Sequence, residues 1–168
     1  IEVLEKLLEK GLEVDIENNE AETPLLIAAS WRNKEIVKLL LDNGANINTT
    51  NKSGNSPLLF AVASKNIPVT ELLLENGANI NHVNHHGESA LLQACYDSNR
   101  MLIKLLMDKG ADVFVSSKNG QSPIWYACSN NQKEIVALFL ENGVDVNYAK
   151  PISGDQESMY SYLDWVET

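Results

Sequence analysis

The chain has 168 residues, 44% hydrophobic and 21% charged, with a formal net charge of −10; it is apolar enough to fold as one domain and too acidic to grip phosphate backbones, which excludes nucleic acid as the expected partner. No apolar run approaches the length needed to cross a bilayer, so no membrane partner is expected. Two cysteines, Cys95 and Cys128, are too few to staple a domain of this size and point to a reducing, cytoplasmic setting.

The acids crowd at the ends. Residues 1–22 hold eight acids against Lys6 and Lys10, a balance of −6; residues 23–144 are neutral, and residues 145–168 hold five acids against Lys150, or −4. Acidic ends on a neutral body would steer a basic partner, although charged caps also serve solubility alone. The opening residues 1–10 alternate Glu and Lys with Leu, unlike a signal peptide, and read as a helix. With no initiating Met, and with that helix lacking a first helix before it, the chain is expected to be a fragment of a longer protein.

From there a period governs the chain. Gly11, Gly44, Gly77, Gly110 and Gly143 fall 33 residues apart, and the same step relates Thr23, Ser56, Ser89 and Ser122, and also Gly54, Gly87 and Gly120. Thr23-Pro24, Ser56-Pro57 and Ser122-Pro123 place a capping hydroxyl before a proline at the first helical position, so a short first helix is predicted after each. Small residues at one level of these helices, Ala28-Ala29, Ala61-Val62, Ala94-Cys95 and Ala127-Cys128, allow neighbouring backbones to approach. A second helix follows in each period, from apolar stripes such as Ile36-Val37-Leu39-Leu40 and Leu102-Ile103-Leu105-Leu106, and the periodic Gly ends it. The polar stretch beyond, such as residues 48–55, carries hairpin signals.

Ser56-Pro57-Leu58-Leu59-Phe60-Ala61-Val62-Ala63 and Leu72-Leu73-Leu74-Glu75-Asn76-Gly77-Ala78-Asn79-Ile80-Asn81 resemble the ankyrin repeat's Thr-Pro-Leu-His-x-Ala-Ala and Leu-Leu-x-x-Gly-Ala-Asp-Val-Asn. The resemblance divides the chain into a half repeat, 1–17, four full repeats, 18–50, 51–83, 84–116 and 117–149, and a C-terminal region, 150–168, where Met159, Leu163 and Val166 suit a capping helix. It implies a single all-α solenoid of stacked helix-turn-helix units with projecting β-hairpin fingers. It further implies a protein partner held on the concave face of fingers and first helices.

The sequence departs from that pattern in places. The family's His after Pro-Leu is replaced by Leu26, Leu59, Leu92 and Trp125, so the turns need another support. Ala21 stands where the finger Gly recurs, Ala90 where Pro recurs, and Phe114 where Asn48, Asn81 and Asn147 recur, which makes the finger over 114–121 the weakest expectation.

Candidate chemistry is sparse. His82, His85 and His86 share one finger beside Glu88, but adjacent histidines in a turn or strand point apart, and no metal site is expected. Cys95 and Cys128 take the phase of Ala29 and Val62 and read as small core residues, unbridged. No phosphate loop, nucleophile elbow or Cys/His pairing is present, so neither catalysis nor a cofactor is expected.

The expected activity is protein binding by a monomer. Phase assigns the contact positions to Glu22, Ser30 and Trp31, to Lys52 and Asn55, to His85, His86, Glu88, Tyr96 and Asp97, and to Lys118, Asn119, Gln121 and Asn130, with Trp31 and Tyr96 as aromatic anchors. The other reading is an arm of a larger enzyme or effector whose activity lies outside these residues.

Overall fold

The computed structural model describes residues 2–31 and 33–145; the capping helix expected within 150–168 lies outside the described residues. Among the described residues there are nine helices: α1 (Glu2–Glu9), α2 (Pro24–Ser30), α3 (Lys34–Asp42), α4 (Pro57–Ala63), α5 (Ile67–Glu75), α6 (Ala90–Tyr96), α7 (Arg100–Asp108), α8 (Pro123–Ser129) and α9 (Lys133–Glu141). The chain divides into two compact units, Ile1–His85 with α1 to α5 and His86–Thr168 with α6 to α9.

Each short helix begins at a hydroxyl. Thr23, Ser56, Ser89 and Ser122 are buried and extended, and their side-chain oxygens accept from the amides of Leu26, Leu59, Leu92 and Trp125 at 3.2 to 3.5 Å. Such a cap supplies about 1 kcal/mol to a helix of only seven residues. Ala90 replaces the usual proline at no cost to α6, because Ser89 still caps it. The next residues bend the chain back: Lys65, Ser98 and Asn131 take a positive φ of 55 to 57°, and the amides that follow return to the ends of α4, α6 and α8. Asn33, Asn66 and Asn99 then cap α3, α5 and α7, whereas Gln132 is too long for the same bond and instead donates to the carbonyl of Ser98 at 3.0 Å.

In the first unit α2 packs on α3 and α4, and α5 packs on α3 and α4, around fully buried Leu25, Ala29, Val37, Leu40, Ala61, Val62, Val69 and Leu73. In the second, α6 packs on α7 and α8 and α8 on α9, around Leu91, Ala94, Leu102, Ile103, Leu106, Ile124, Ala127, Ile135 and Phe139. The α1 helix differs from its counterparts: Leu7, in the phase of buried Leu40, stays exposed.

The fingers are tight turns with little strand character; isolated bridge residues occur at Val83 and Ser89 among the described residues. In three of the fingers, support comes instead from the first side chain of the finger. Asn18 Oδ1 accepts from the amides of Glu20 and Glu22, Asn51 Oδ1 from those of Ser53 and Asn55, and Ser117 Oγ from that of Gln121, which also holds the finger expected to be weakest. Successive fingers are joined through their backbones. The amide of Lys52 donates to Glu20 and that of His85 to Ser53, both at 3.1 Å, in the first unit; in the second, the amide of Lys118 donates to His86 at 3.3 Å.

Such close approach makes one glycine critical. Gly54 has φ +77°, and a Cβ on it would lie 2.9 Å from His85 Cδ2 and 3.1 Å from the His85 amide nitrogen, whereas a Cβ on Gly77, at φ +89°, would meet nothing within 4 Å. Ala21 already bears the same left-handed φ at 57°, with the strain a side chain brings there. Gly77→Ala is expected to cost about 1 kcal/mol, the backbone penalty alone. Gly54→Ala is expected to cost at least ~1 kcal/mol more because the next finger must be displaced. Urea unfolding of the two variants, compared at equal m-value, checks the difference.

Candidate functional site

In the first unit the exposed surface builds up from the finger turns and the end of α2. Trp31 follows α2 as its cap, its amide donating to the carbonyls of Ile27 and Ala28 while its side chain is 78% exposed. Ser30 is half-buried, with its hydroxyl turned back onto Ile27 at 2.7 Å and its carbonyl accepting from Ser64 Oγ at 2.9 Å. Lys52 is exposed at a finger tip. Glu22 accepts from Asn18 Nδ2 at 2.9 Å, and Asn55 accepts from Asn84 Nδ2 at 2.8 Å, so both are tied to the finger framework.

The histidines are separated by what they do. His82 donates from Nε2 to the carbonyl of Gly54 at 2.7 Å and so pins one finger to the preceding one, a role its position in the sequence did not reveal. His85 lies over Gly54. His86 opens the second unit, its carbonyl accepting from Lys118. Among the described residues no three of His, Cys, Asp and Glu converge in a group that could hold a metal ion.

In the second unit the surface is aromatic. Tyr96, the last residue of α6, is 65% exposed and meets Tyr126 of α8 edge-on, ring centroids 5.8 Å apart at 87°. Tyr126 in turn meets Trp125 at 5.1 Å and 79°, and its hydroxyl donates to Gln121 Oε1 at 3.0 Å. Burial, and after it the Glu88 carboxylate, push the Tyr126 phenol above its ordinary value, so the hydroxyl keeps its proton and its role as donor at neutral pH. Asp97, the cap of α6, accepts from Gln93 Nε2 at 2.8 Å. Asn130 Nδ2 reaches the carbonyl of Cys95 at 3.3 Å, and Lys118 and Asn119 are exposed on the finger between α7 and α8. The structure thus brings together Tyr96, Asp97 and Gln121 from the expected set and adds Gln93, Trp125 and Tyr126. The signal for Tyr126 was its phase, shared with the half-buried Ile27, Phe60 and Gln93.

A family model described as ankyrin repeats (3 copies) matches residues 1–84 and 77–150. The chain belongs to the ankyrin-repeat family. No curated protein matches it. Ankyrin repeats generally serve as protein-interaction modules and are typically non-catalytic. Among the described residues no helix is long and apolar enough to cross a membrane.

The cysteines of these ankyrin repeats are free and differ in exposure. Cys95 is completely buried and its thiol is pushed far up by that burial. Cys128, expected in the core, is half-buried; its thiol is pushed by burial from 9.0 up to about 11. In the unfolded chain both thiols titrate at their ordinary value, so the folded state holds protons that the unfolded state releases. For Cys128 the resulting stabilisation is present below pH 9.0 and is lost as pH rises through about 11, and for Cys95 the loss runs higher still. Cys128→Ala is therefore expected to flatten the decline of unfolding free energy across that window, measured against the parent chain by urea titration at each pH.

Proposed function

We propose that the chain binds a protein partner of basic character, presenting to it the fingers and first-helix ends of its units. The observation that carries this reading is the exposure of two large aromatics at first-helix ends, Trp31 at 78% and Tyr96 at 65%, beside finger side chains that are mostly polar. Neither ring is needed for the core, and large aromatics set among polar neighbours supply much of the binding energy at protein interfaces. The acidic finger residues Glu20 and Glu22, within a stretch of eight acids and two bases, would draw a basic surface toward the first unit.

The division of labour within the fingers supports the same reading. Asn18, Asn51 and Ser117 hold the turns, while Lys52, Lys118 and Asn119 are exposed, Lys52 and Lys118 joining neighbouring fingers through their backbone amides. Of the contact positions, Ser30 and Asn55 are committed to internal hydrogen bonds, so they serve the partner through shape more than through their polar atoms.

A partner recovered by affinity capture and then purified provides the test. Trp31→Ala together with Tyr96→Ala is expected to weaken its binding by at least about tenfold, a loss above roughly 1.4 kcal/mol, while the melting temperature stays that of the parent. Unchanged affinity in isothermal titration calorimetry refutes the anchoring role.

A further inference from the structure

Asparagine precedes glycine at four places, Asn43-Gly44, Asn76-Gly77, Asn119-Gly120 and Asn142-Gly143. The pair is chemically special, because the amide nitrogen that follows an asparagine can attack its side-chain carbonyl carbon, and glycine, with no Cβ, hinders that approach least. All four asparagines are exposed, and all four glycines take a positive φ of 77 to 89°. Each glycine amide donates to the carbonyl three residues back, at 2.9 to 3.2 Å. Neither access to water nor the state of the attacking nitrogen therefore separates the four pairs.

Their side chains do. Asn43, Asn76 and Asn142 cap the ends of α3, α5 and α9, and each donates from Nδ2 to the carbonyl four residues back, on Leu39, Leu72 or Leu138, at 2.8 Å. That bond holds Cγ against the last turn of the helix, directed back along the chain and away from the glycine nitrogen ahead of it. The amide after each glycine, on Ala45, Ala78 or Val144, also returns to its helix at 3.0 to 3.1 Å, so freeing these pairs requires unwinding a helix end. Asn119 instead lies at a finger tip, and its side chain takes no hydrogen bond among the described residues. The turn beneath it closes through Ser117, whose carbonyl accepts from Gly120 at 2.9 Å and whose Oγ accepts from Gln121 at 3.2 Å. A turn held by so few bonds opens at lower cost than a helix packed into the core.

We propose that Asn119 is a site of spontaneous modification, losing its side-chain amide through a cyclic imide formed with the backbone of Gly120. Hydroxide removes the Gly120 amide proton, which gives up the bond to Ser117, and the nitrogen then bonds to Asn119 Cγ. The Cγ–Nδ2 bond breaks, and Nδ2 takes a proton from water and leaves as ammonia. A second water opens the imide at either of its two carbonyls: one cleavage yields aspartate, the other yields isoaspartate, with the main chain now running through the former side chain. One water is consumed in all, one ammonia is released, and nothing is oxidised or reduced. Either product puts a new carboxylate beside Lys118, and isoaspartate also lengthens the backbone of the finger. The tip of one finger thereby changes charge and shape without an enzyme, on a surface that is otherwise fixed by its sequence.

The test uses the full chain, held folded at mildly alkaline pH and in parallel unfolded in urea, with each asparagine followed by mass spectrometry of proteolytic peptides. In urea the four pairs are expected to react at similar rates, since no fold distinguishes them. In the folded chain Asn119 is expected to react at least about tenfold faster than any of the three caps and to give aspartate and isoaspartate together. Ser117→Ala, which removes the Oγ bond, is expected to speed the reaction at Asn119 several-fold and to leave the caps unchanged. Asn119→Gln is expected to abolish the acidic species that the folded chain accumulates on ion exchange, with circular dichroism confirming the fold of both variants. A cap asparagine that reacts as fast as Asn119, aspartate without isoaspartate, or an acidic species that persists in Asn119→Gln overturns the assignment.

Discussion

The structure depends on the level at which first helices touch. In the first unit α2 packs on α4 with Ala29 and Ala61 left no exposed surface, and in the second α6 packs on α8 with Ala94 and Ala127 likewise fully buried. A seven-residue helix is far below the length that holds itself in water, so these helices exist because a neighbour buries them. Small side chains at the contact let two backbones come close, and that closeness in turn brings the preceding fingers within hydrogen-bonding distance. The amide of Lys52 can then reach Glu20, and that of Lys118 can reach His86. A larger residue at the alanine level would push the helices apart and break the finger contacts as well, which couples core packing to the shape of the surface.

The repeat was legible because its constraints are local. A capping hydroxyl, a proline in three of the four first helices, and a glycine after the second helix each answer to the backbone of their own period. Departures from the family pattern were harder to judge. Leu26, Leu59, Leu92 and Trp125 leave the turns without their usual histidine, and although Asn51 suits a turn, the sequence does not show that Asn18, Asn51 and Ser117 take the amides that hold three of them. Asn residues suit many turns, and only the observed acceptor geometry shows which amides each one takes. Ala21 stands at a position where glycine recurs, and the backbone keeps the glycine conformation there.

The surface was legible in part, for a different reason. Phase tells which side of a repeat a residue is on, but it does not tell which residues of neighbouring repeats touch. Tyr96 and Tyr126 stand 30 positions apart, three short of the period, and they meet because α8 packs beside α6, with the last residue of α6 against the middle of α8. His82 shows the same limit. Its place in a finger with two other histidines carries no sign of the preceding finger, whereas its ring is spent on the carbonyl of Gly54 there.

Separating the residues that build each finger from those that face outward has a physical consequence for function. Turn support, helix caps and the alanine contacts use buried or half-buried positions, and these carry the folding energy. Trp31, Lys52, Tyr96, Lys118 and Asn119 are exposed and can change identity at little cost in stability, so the unit can acquire a specific surface without rebuilding its core. The aromatic array of the second unit is the exception, because Tyr126 is half-buried and bonded to Gln121. Substituting Tyr126 disturbs packing and recognition together, whereas substituting Tyr96 reports on recognition with far less interference from the fold. Tyr96 is therefore the residue through which the chemistry of this surface can be read.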